Sequence, residues 1–146
     1  MADSLYAVKE AFYDRRICNI AQLIEALNAD FKGYELLQKQ LRAMKKFGND
    51  EDEVDLLAAD VAKHFCDAVE SYPFPLGVKV LPGIYNIDFV MFASVLGATP
   101  DGRNAGDAIS CHYSPTPSRA VKGVTAALYS SAKGNLFRGV AASPVY

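Results

Sequence analysis

Gly97-Ala98-Thr99-Pro100-Asp101-Gly102-Arg103-Asn104-Ala105-Gly106 places three glycines and a proline in ten residues, directly after a strongly apolar segment. Pro100 pre-sets φ at the second position of a tight turn over 99–102, Asp101 is able to hydrogen-bond its own backbone, and Gly102 relieves steric conflict at the exit. Arg103 leaves the turn as a planar, permanently charged fork beside Asp101. The pattern predicts a structural loop built on Gly97, Pro100, Asp101, Gly102 and Arg103 and closed by an Asp–Arg pair. The alternative is a loop that presents these groups to something else.

On the N-terminal side, Val78 to Leu81 and Ile84 to Phe92 are rich in β-branched and aromatic residues and are split by Pro82-Gly83, which predicts strands. A period of two puts Tyr85, Ile87, Phe89 and Met91 on one face. Asn86 and Asp88 fall on the other, either facing water at an edge or lining a pocket. On the C-terminal side, Asp107 to Ser118 shows no periodicity. Ser118 is placed to cap a last helix in which Val121, Val124 and Leu128 share a face, ending near Lys133-Gly134.

Further upstream the period is helical. Leu5, Val8 and Phe12 predict a short helix from Asp3 to about Arg15. Asn19 and Gln22 have capping-box spacing ahead of the stripe Ile20, Leu23, Ile24, Leu27 and Phe31, which stops at Gly33. Tyr34, Leu37, Leu41 and Met44 mark a third helix. Five carboxylates in positions 50–55 suit the positive end of a fourth, with Asp50 and Glu53 as its capping box. Val54, Leu57, Ala58, Val61, Phe65 and Val69 are expected inside it, and Pro73 and Pro75 close it. The chain divides into a helical region, 1–72, and a region of strand, Gly-rich loop and C-terminal helix, 73–146, within one incomplete domain.

The totals exclude several classes. The 146 residues are 51% apolar and 22% charged with a net charge of −2, which leaves no basic footprint for nucleic acid or an anionic membrane surface. No run approaches the length of a membrane span, and the N-terminus has no secretory pattern. Cys18, Cys66 and Cys111 are odd in number and widely spaced, which argues against a disulfide framework or a zinc site and favours a reducing, cytoplasmic setting. The acidic run lacks the glycine and final glutamate of an EF-hand loop, so no metal is expected there. Cys111 adjoins His112, but adjacent side chains on extended backbone point apart, and no nucleophile couple follows. The common hydrolase, metalloprotease, P-loop and dinucleotide motifs are absent.

Gly97 to Arg103, continued by Ala105-Gly106 and Ser114-Pro115, resembles the signature loop in the C-terminal half of the glycyl radical enzymes. This family includes pyruvate formate-lyase, glycerol and propanediol dehydratases, choline trimethylamine-lyase and arylacetate decarboxylases. Lys46-Phe47-Gly48-Asn49-Asp50-Glu51-Asp52-Glu53-Val54-Asp55 upstream, and Gly123-Val124-Thr125-Ala126-Ala127-Leu128 with Ser131-Ala132-Lys133 downstream, resemble the same family in the same order.

The resemblance implies an α-rich part of an α/β fold: outer helices plus a partial strand layer of a ten-stranded α/β barrel. It implies radical C–C, C–O or C–N bond cleavage of a small metabolite in the whole enzyme, nearer the dehydratase, lyase or decarboxylase branch. It also implies a protein glycyl radical installed by an S-adenosylmethionine iron–sulfur activating enzyme. Tyr85 resembles the tyrosine that several dehydratases place by the substrate. The two loops that carry the chemistry, Gly-Cys-x-Glu and R-V-x-G-Y, do not occur here, so no residue is assigned a catalytic role and no cofactor is expected on this segment. The implied partners are the remainder of the enzyme and, through it, the activating enzyme, with a homo-oligomer left open. The competing reading is a non-catalytic helical module that packs against a partner. Codons beyond Tyr146 leading to R-V-x-G-Y would favour the first reading, and a natural stop the second.

Overall fold

In a computed structural model of the chain, residues 1–83 and 90–134 are described. Five α-helices carry the architecture: α1 (Ala2–Val8), α2 (Ile20–Asn28), α3 (Glu35–Ala43), α4 (Asp52–Ser71) and α5 (Val124–Ala132). α1 runs directly into a π-helical segment, Lys9–Asp14, so the predicted first helix is one rod with two hydrogen-bonding patterns. α1 packs along α4, and α5 touches α4 as well.

α2 begins as the sequence predicts. Asn19 Oδ1 accepts from the Gln22 backbone N–H at 2.9 Å and Gln22 Oε1 accepts from the Asn19 N–H at 3.0 Å, which meets two of the orphan donors of a helix start. The predicted capping box of α4 is not formed. Its N-cap is Glu51 with no side-chain cap bond, and the acidic residues reach lysines instead. α5 starts after Gly123 rather than at Ser118, which sits in the left-handed region at φ 64.

The strand expectation is corrected where the structure describes it. Residues 78–83 are irregular, and Val90–Val95 forms a 3-10 helix. A strand needs a neighbour to take its backbone hydrogen bonds, and among the described residues the sole bridge is Thr99 to Arg103. The remainder of the expected strand, including Tyr85, lies outside the described residues.

The core is made by Tyr6, Leu23, Phe31, Leu41, Met44, Phe47 and Val54 with small residues between them, Ala7, Ala11, Ala26 and Ala58. Several helices turn an unexpected face toward it. In α1 the buried residues are Asp3, Tyr6 and Ala7, while Leu5 is exposed. Ile20 and Ile24 of α2 and Phe65 of α4 are exposed, and Cys66 is buried in place of Phe65. In α5 the predicted apolar face is outermost: Val124 is 75% and Leu128 50% exposed, while Ala127, Ser130 and Ser131 are inside. These helices are apolar on more than one side, the pattern of helices enclosed within a larger body.

Candidate functional site

The Gly-rich loop is a turn docked on α3. Gly102 N–H donates to the Thr99 carbonyl at 2.9 Å and Thr99 N–H donates to the Arg103 carbonyl at 3.0 Å, closing the turn from both sides. Gly102 has φ +89, and a Cβ there would lie 2.6 Å from Arg42 Cγ and 3.1 Å from the Gln38 carbonyl oxygen, so only glycine lets the loop approach the helix. Arg42 Nε donates to the Gly102 carbonyl at 2.7 Å, Gln38 Nε2 donates to Asn104 Oδ1 at 2.7 Å, and the Ala105 N–H donates to Asp30 Oδ1 at 2.7 Å. The Ala105 bond first, and then one from Asn104 Nδ2 at 3.1 Å, hold the Asp30 carboxyl below the usual range.

Arg103 is buried, and its fork is used on the loop itself. Nη1 donates to the Asp107 carbonyl at 2.7 Å, Nη2 to the Gly97 carbonyl, and Nε to Thr99 Oγ1 at 3.3 Å. The expected Asp101–Arg103 pair is not made. Asp101 instead accepts from Thr99 Oγ1 at 2.5 Å and from Ser4 Oγ of α1 at 3.1 Å. Two carbonyls and a hydroxyl give the guanidinium three acceptors, more than one carboxylate across a turn offers its three nitrogens.

Lys46 lies between this loop and α1. Burial pushes its ammonium down while Asp3 and Asp101 pull it up. Nζ donates to the carbonyls of Leu41 and Met44 at 2.8 and 2.9 Å, satisfying the C-terminal end of α3. Asp3 accepts from the Phe47 N–H at 2.7 Å, yet burial pushes its carboxyl above the usual value.

The next residues tie the chain's halves together. Gly48, φ +92, presses on Pro115, where a Cβ would meet Cγ at 2.2 Å. Asn49 Oδ1 accepts from the backbone N–H groups of Val121 and Lys122 at 2.8 and 3.1 Å, and its Nδ2 donates to the Arg119 carbonyl at 2.9 Å. Lys133 sits among Asp50, Asp52 and Asp55 at 2.7, 2.7 and 2.9 Å. Burial lowers its pKa, but the three carboxylates outweigh burial and the net shift is upward. Asp55 is fully buried, and Ser130 donates to it at 2.8 Å. All of this is lysine neutralising carboxylates in a structural clamp, and among the described residues no three His, Cys, Asp or Glu side chains are grouped to hold a metal ion.

Beside the clamp a cleft of about 280 Å³ opens between α4 and residues 110–116. Ala58, Val61, Ala62 and Phe65 of α4 and Phe47 form its apolar wall, and Ser110, His112, Tyr113, Ser114 and Thr116 face them. Three polar atoms here, His112 Nδ1, Tyr113 Oη and Ser114 Oγ, are buried without a hydrogen-bond partner among the described residues. The Tyr113 ring stands edge-on to Phe47 at 5.2 Å, and its hydroxyl lies where a Cβ on Gly134 would be 2.6 Å away. Burial, then the Asp55 charge, push the Tyr113 phenol up to about 12. Sequence reasoning missed this cleft because no motif marks it.

Cys18 and Cys66 are buried, and burial pushes the Cys18 thiol up. Gly48 and Gly102 are pinned against Pro115 and Arg42. Tyr85, the one substrate-facing residue expected from the sequence, lies outside the described residues.

Comparison with known proteins gives one consistent result. The family model described as pyruvate formate lyase-like matches residues 1–93. The trans-4-hydroxy-L-proline dehydratase of Clostridioides difficile is 30% identical over 91% of this chain, and the isethionate sulfite-lyase of Nitratidesulfovibrio vulgaris 32% identical over 90%. The glycerol-bound B12-independent glycerol dehydratase of Clostridium butyricum superposes on 94% of the chain with a TM-score of 0.84 and 41% identity. The chain spans 17% and 16% of the length of the two sequence relatives and 18% of the solved chain.

Proposed function

This chain belongs to the pyruvate formate lyase-like family, the glycyl radical enzymes, and on that premise we propose that it serves as a scaffolding segment of a dehydratase- or lyase-type member. In this reading its helices form part of the outer shell of an α/β barrel, and the strand layer forms only when the other strands are beside it. The activity of the whole enzyme is radical cleavage of a C–O, C–C or C–N bond in a small metabolite, after an S-adenosylmethionine iron–sulfur enzyme has activated it in the cytoplasm.

The observation that carries the proposal is the outward apolar face of the helices. Val124, Leu128, Ile20, Ile24 and Phe65 are exposed, although the same helices bury Ala127, Ser130 and Ser131 in α5, Ala26 beside Leu23 in α2, and Asp55 and Cys66 beside Val54 in α4. Helices of a free-standing domain put such residues in their own core. The buried, fully engaged Arg103 supports a structural rather than reactive role for the signature loop.

Alone, the chain is expected to carry no radical. Hydrogen abstraction needs a storage glycine in a loop an activating enzyme can reach and a thiol held within a few ångströms, and the sequence has neither loop. Anaerobic incubation with an activating enzyme and S-adenosylmethionine, followed by electron paramagnetic resonance, tests this. An organic radical mapping to oxygen-dependent cleavage at any glycine of this chain would overturn the scaffold reading.

Tyr85 is the residue proposed to reach substrate. In an intact enzyme carrying this segment, Tyr85→Phe is expected to lower kcat/KM roughly tenfold or more while the melting midpoint stays put, since one hydrogen bond to the substrate is lost and the ring is kept. Unchanged kinetics would place Tyr85 in the core.

A further inference from the structure

The cleft between α4 and residues 110–116 has one apolar wall, one polar wall and no occupant among the described residues. Native proteins bury few polar atoms unpaired, and His112 Nδ1 and Ser114 Oγ stand two residues apart in that state. His112 is also held at φ 60, a strained conformation that persists only where surroundings fix it. Of the side chains lining the cleft, the one carboxylate, Asp3, accepts from the Phe47 N–H, and no lysine or arginine is among them. An anionic ligand therefore finds no lysine or arginine side chain there to pair with. The apolar wall continues onto Phe65, 46% exposed, and Met1, 82% exposed, so it belongs to a surface wider than the cleft itself.

We infer that this cleft is the docking groove for an uncharged, apolar stretch of the polypeptide forming the rest of the enzyme. Amide or hydroxyl groups of that stretch bond His112 Nδ1 and Ser114 Oγ. The inference rests on the scaffold reading above and adds the surface and its chemistry. The occupant is polypeptide because the chain makes up only 18% of the solved subunit it superposes on, and the other parts of that fold must meet its exposed apolar faces. A peptide segment also supplies both things the cleft lacks, apolar side chains for one wall and hydrogen-bonding groups for the other.

The test is a chimera in which this chain replaces the matching segment of the Clostridium butyricum glycerol dehydratase, compared with the chain alone. In the chain alone, Ala62→Trp fills empty space and Ser114→Ala removes an unpaired hydroxyl. Neither should lower the melting midpoint, and Ser114→Ala should raise it by roughly 2–4 °C. In the chimera the signs reverse: Ala62→Trp evicts the docked segment and cuts soluble yield at least tenfold, and Ser114→Ala lowers the midpoint. Lys63→Trp, one residue along α4 on its exposed side, should be tolerated in the chimera, which keeps the comparison decisive even if the chain alone does not fold. If the wild-type chimera folds and Ala62→Trp is tolerated as well as Lys63→Trp, the groove is open in the assembled enzyme and the inference fails while the scaffold reading stands. If the chain alone melts cooperatively but the wild-type chimera does not fold, the scaffold reading fails and the inference with it.

Discussion

The two irregular loops of the second half differ in how their polar groups end up. In the loop of residues 97–107, the guanidinium of Arg103, the carboxylate of Asp101 and the side chain of Asn104 all have partners within the chain, from Asp30, Gln38, Arg42 and Ser4 among others. In the loop of residues 110–116, three buried polar atoms have none among the described residues. Both loops are similarly short of regular structure, so backbone irregularity is not what separates them. Among the described residues the first loop is closed by partners within the chain, and the second is left with buried polar atoms unpaired. A segment of a larger fold is legible in that contrast: where its own contacts close, it behaves as a domain, and where they do not, it marks an interface.

The sharpest way to break the contrast is at Gly48, which ties the helical region to the second loop by pressing on Pro115. Gly48→Ala demands both a left-handed backbone and a shift of the proline ring, each costing about 1–3 kcal/mol. The expected loss is roughly 3 kcal/mol, read as a lower urea midpoint at unchanged m-value. A loss below about 0.5 kcal/mol, the level of an ordinary surface substitution, would show that the helical region and the second loop are not coupled here.

Arg103→Lys is the next largest. An ammonium cannot span the Gly97 and Asp107 carbonyls together with Thr99, so at least one buried acceptor is left unpaired, at a cost of about 1–3 kcal/mol. The check is paired: melting of the isolated chain, and turnover in an intact enzyme at a temperature where the variant is folded. Stability kept while turnover is lost would move Arg103 from architecture to the active site.

Acid sharpens the comparison from another side. Hydrogen bonds from Lys122 and Lys133 hold the carboxyls of Glu51 and Asp52 below their ordinary values. A depressed carboxyl stabilises the fold above its unfolded pKa, and that contribution is lost as pH falls through the folded one, here below about pH 4. Asp3, raised by burial, works in the opposite direction, since protonating it removes a buried charge. Because Glu51 and Asp52 are solvent-exposed pairs, their share is small and salt-dependent. Thermal melts from pH 6 to 3 should show a shallow decline that Asp3→Asn leaves in place.

How much of this could be read from the sequence follows from the range of the interactions. The α2 capping box, the Thr99–Gly102 turn and the end of α5 depend on residues within four positions of each other, and each forms as expected. The acidic run opens α4 as expected, with Asp52, Glu53 and Asp55 in its first turn, but the Asp50–Glu53 capping box does not form, because the carboxylates reach Lys45 and, 71 to 83 residues away, Lys122 and Lys133, which no local period encodes. The helix faces were read backwards for α5 because apolar periodicity reports that a face will be buried, not against what. Val124 and Leu128 are exposed, while Ala127 and Ser130 are small enough to sit inside. The strand over 78–81 failed for a related reason: strand propensity is realised only beside another strand.

The smallest effect expected is at Tyr113, and its sign separates the two loops. Replacing a bonded hydroxyl in the saturated loop, as in Thr99→Val, removes the bonds of Thr99 Oγ1 to Asp101 and Arg103 and should cost roughly 1–2 kcal/mol. Tyr113→Phe removes a buried hydroxyl that has no partner, so its desolvation penalty disappears with it and stability should be unchanged or rise by up to about 1 kcal/mol. The same environment makes a pH signature. With the Tyr113 phenol pushed up to about 12, the folded state holds this proton longer than the unfolded chain, which releases it near pH 10. Stability from this group is therefore complete below pH 10 and is lost as pH rises through the interval up to about 12, by an amount on the order of 2 kcal/mol. Tyr113→Phe should abolish that part of the alkaline decline and leave the rest. Ultraviolet titration of phenolate, with stability measured alongside, reads both. A Tyr113 that ionises with the bulk of the tyrosines, or a Phe variant that loses as much stability as Thr99→Val, would mean that the hydroxyl is bonded in solution and that the second loop is as complete as the first.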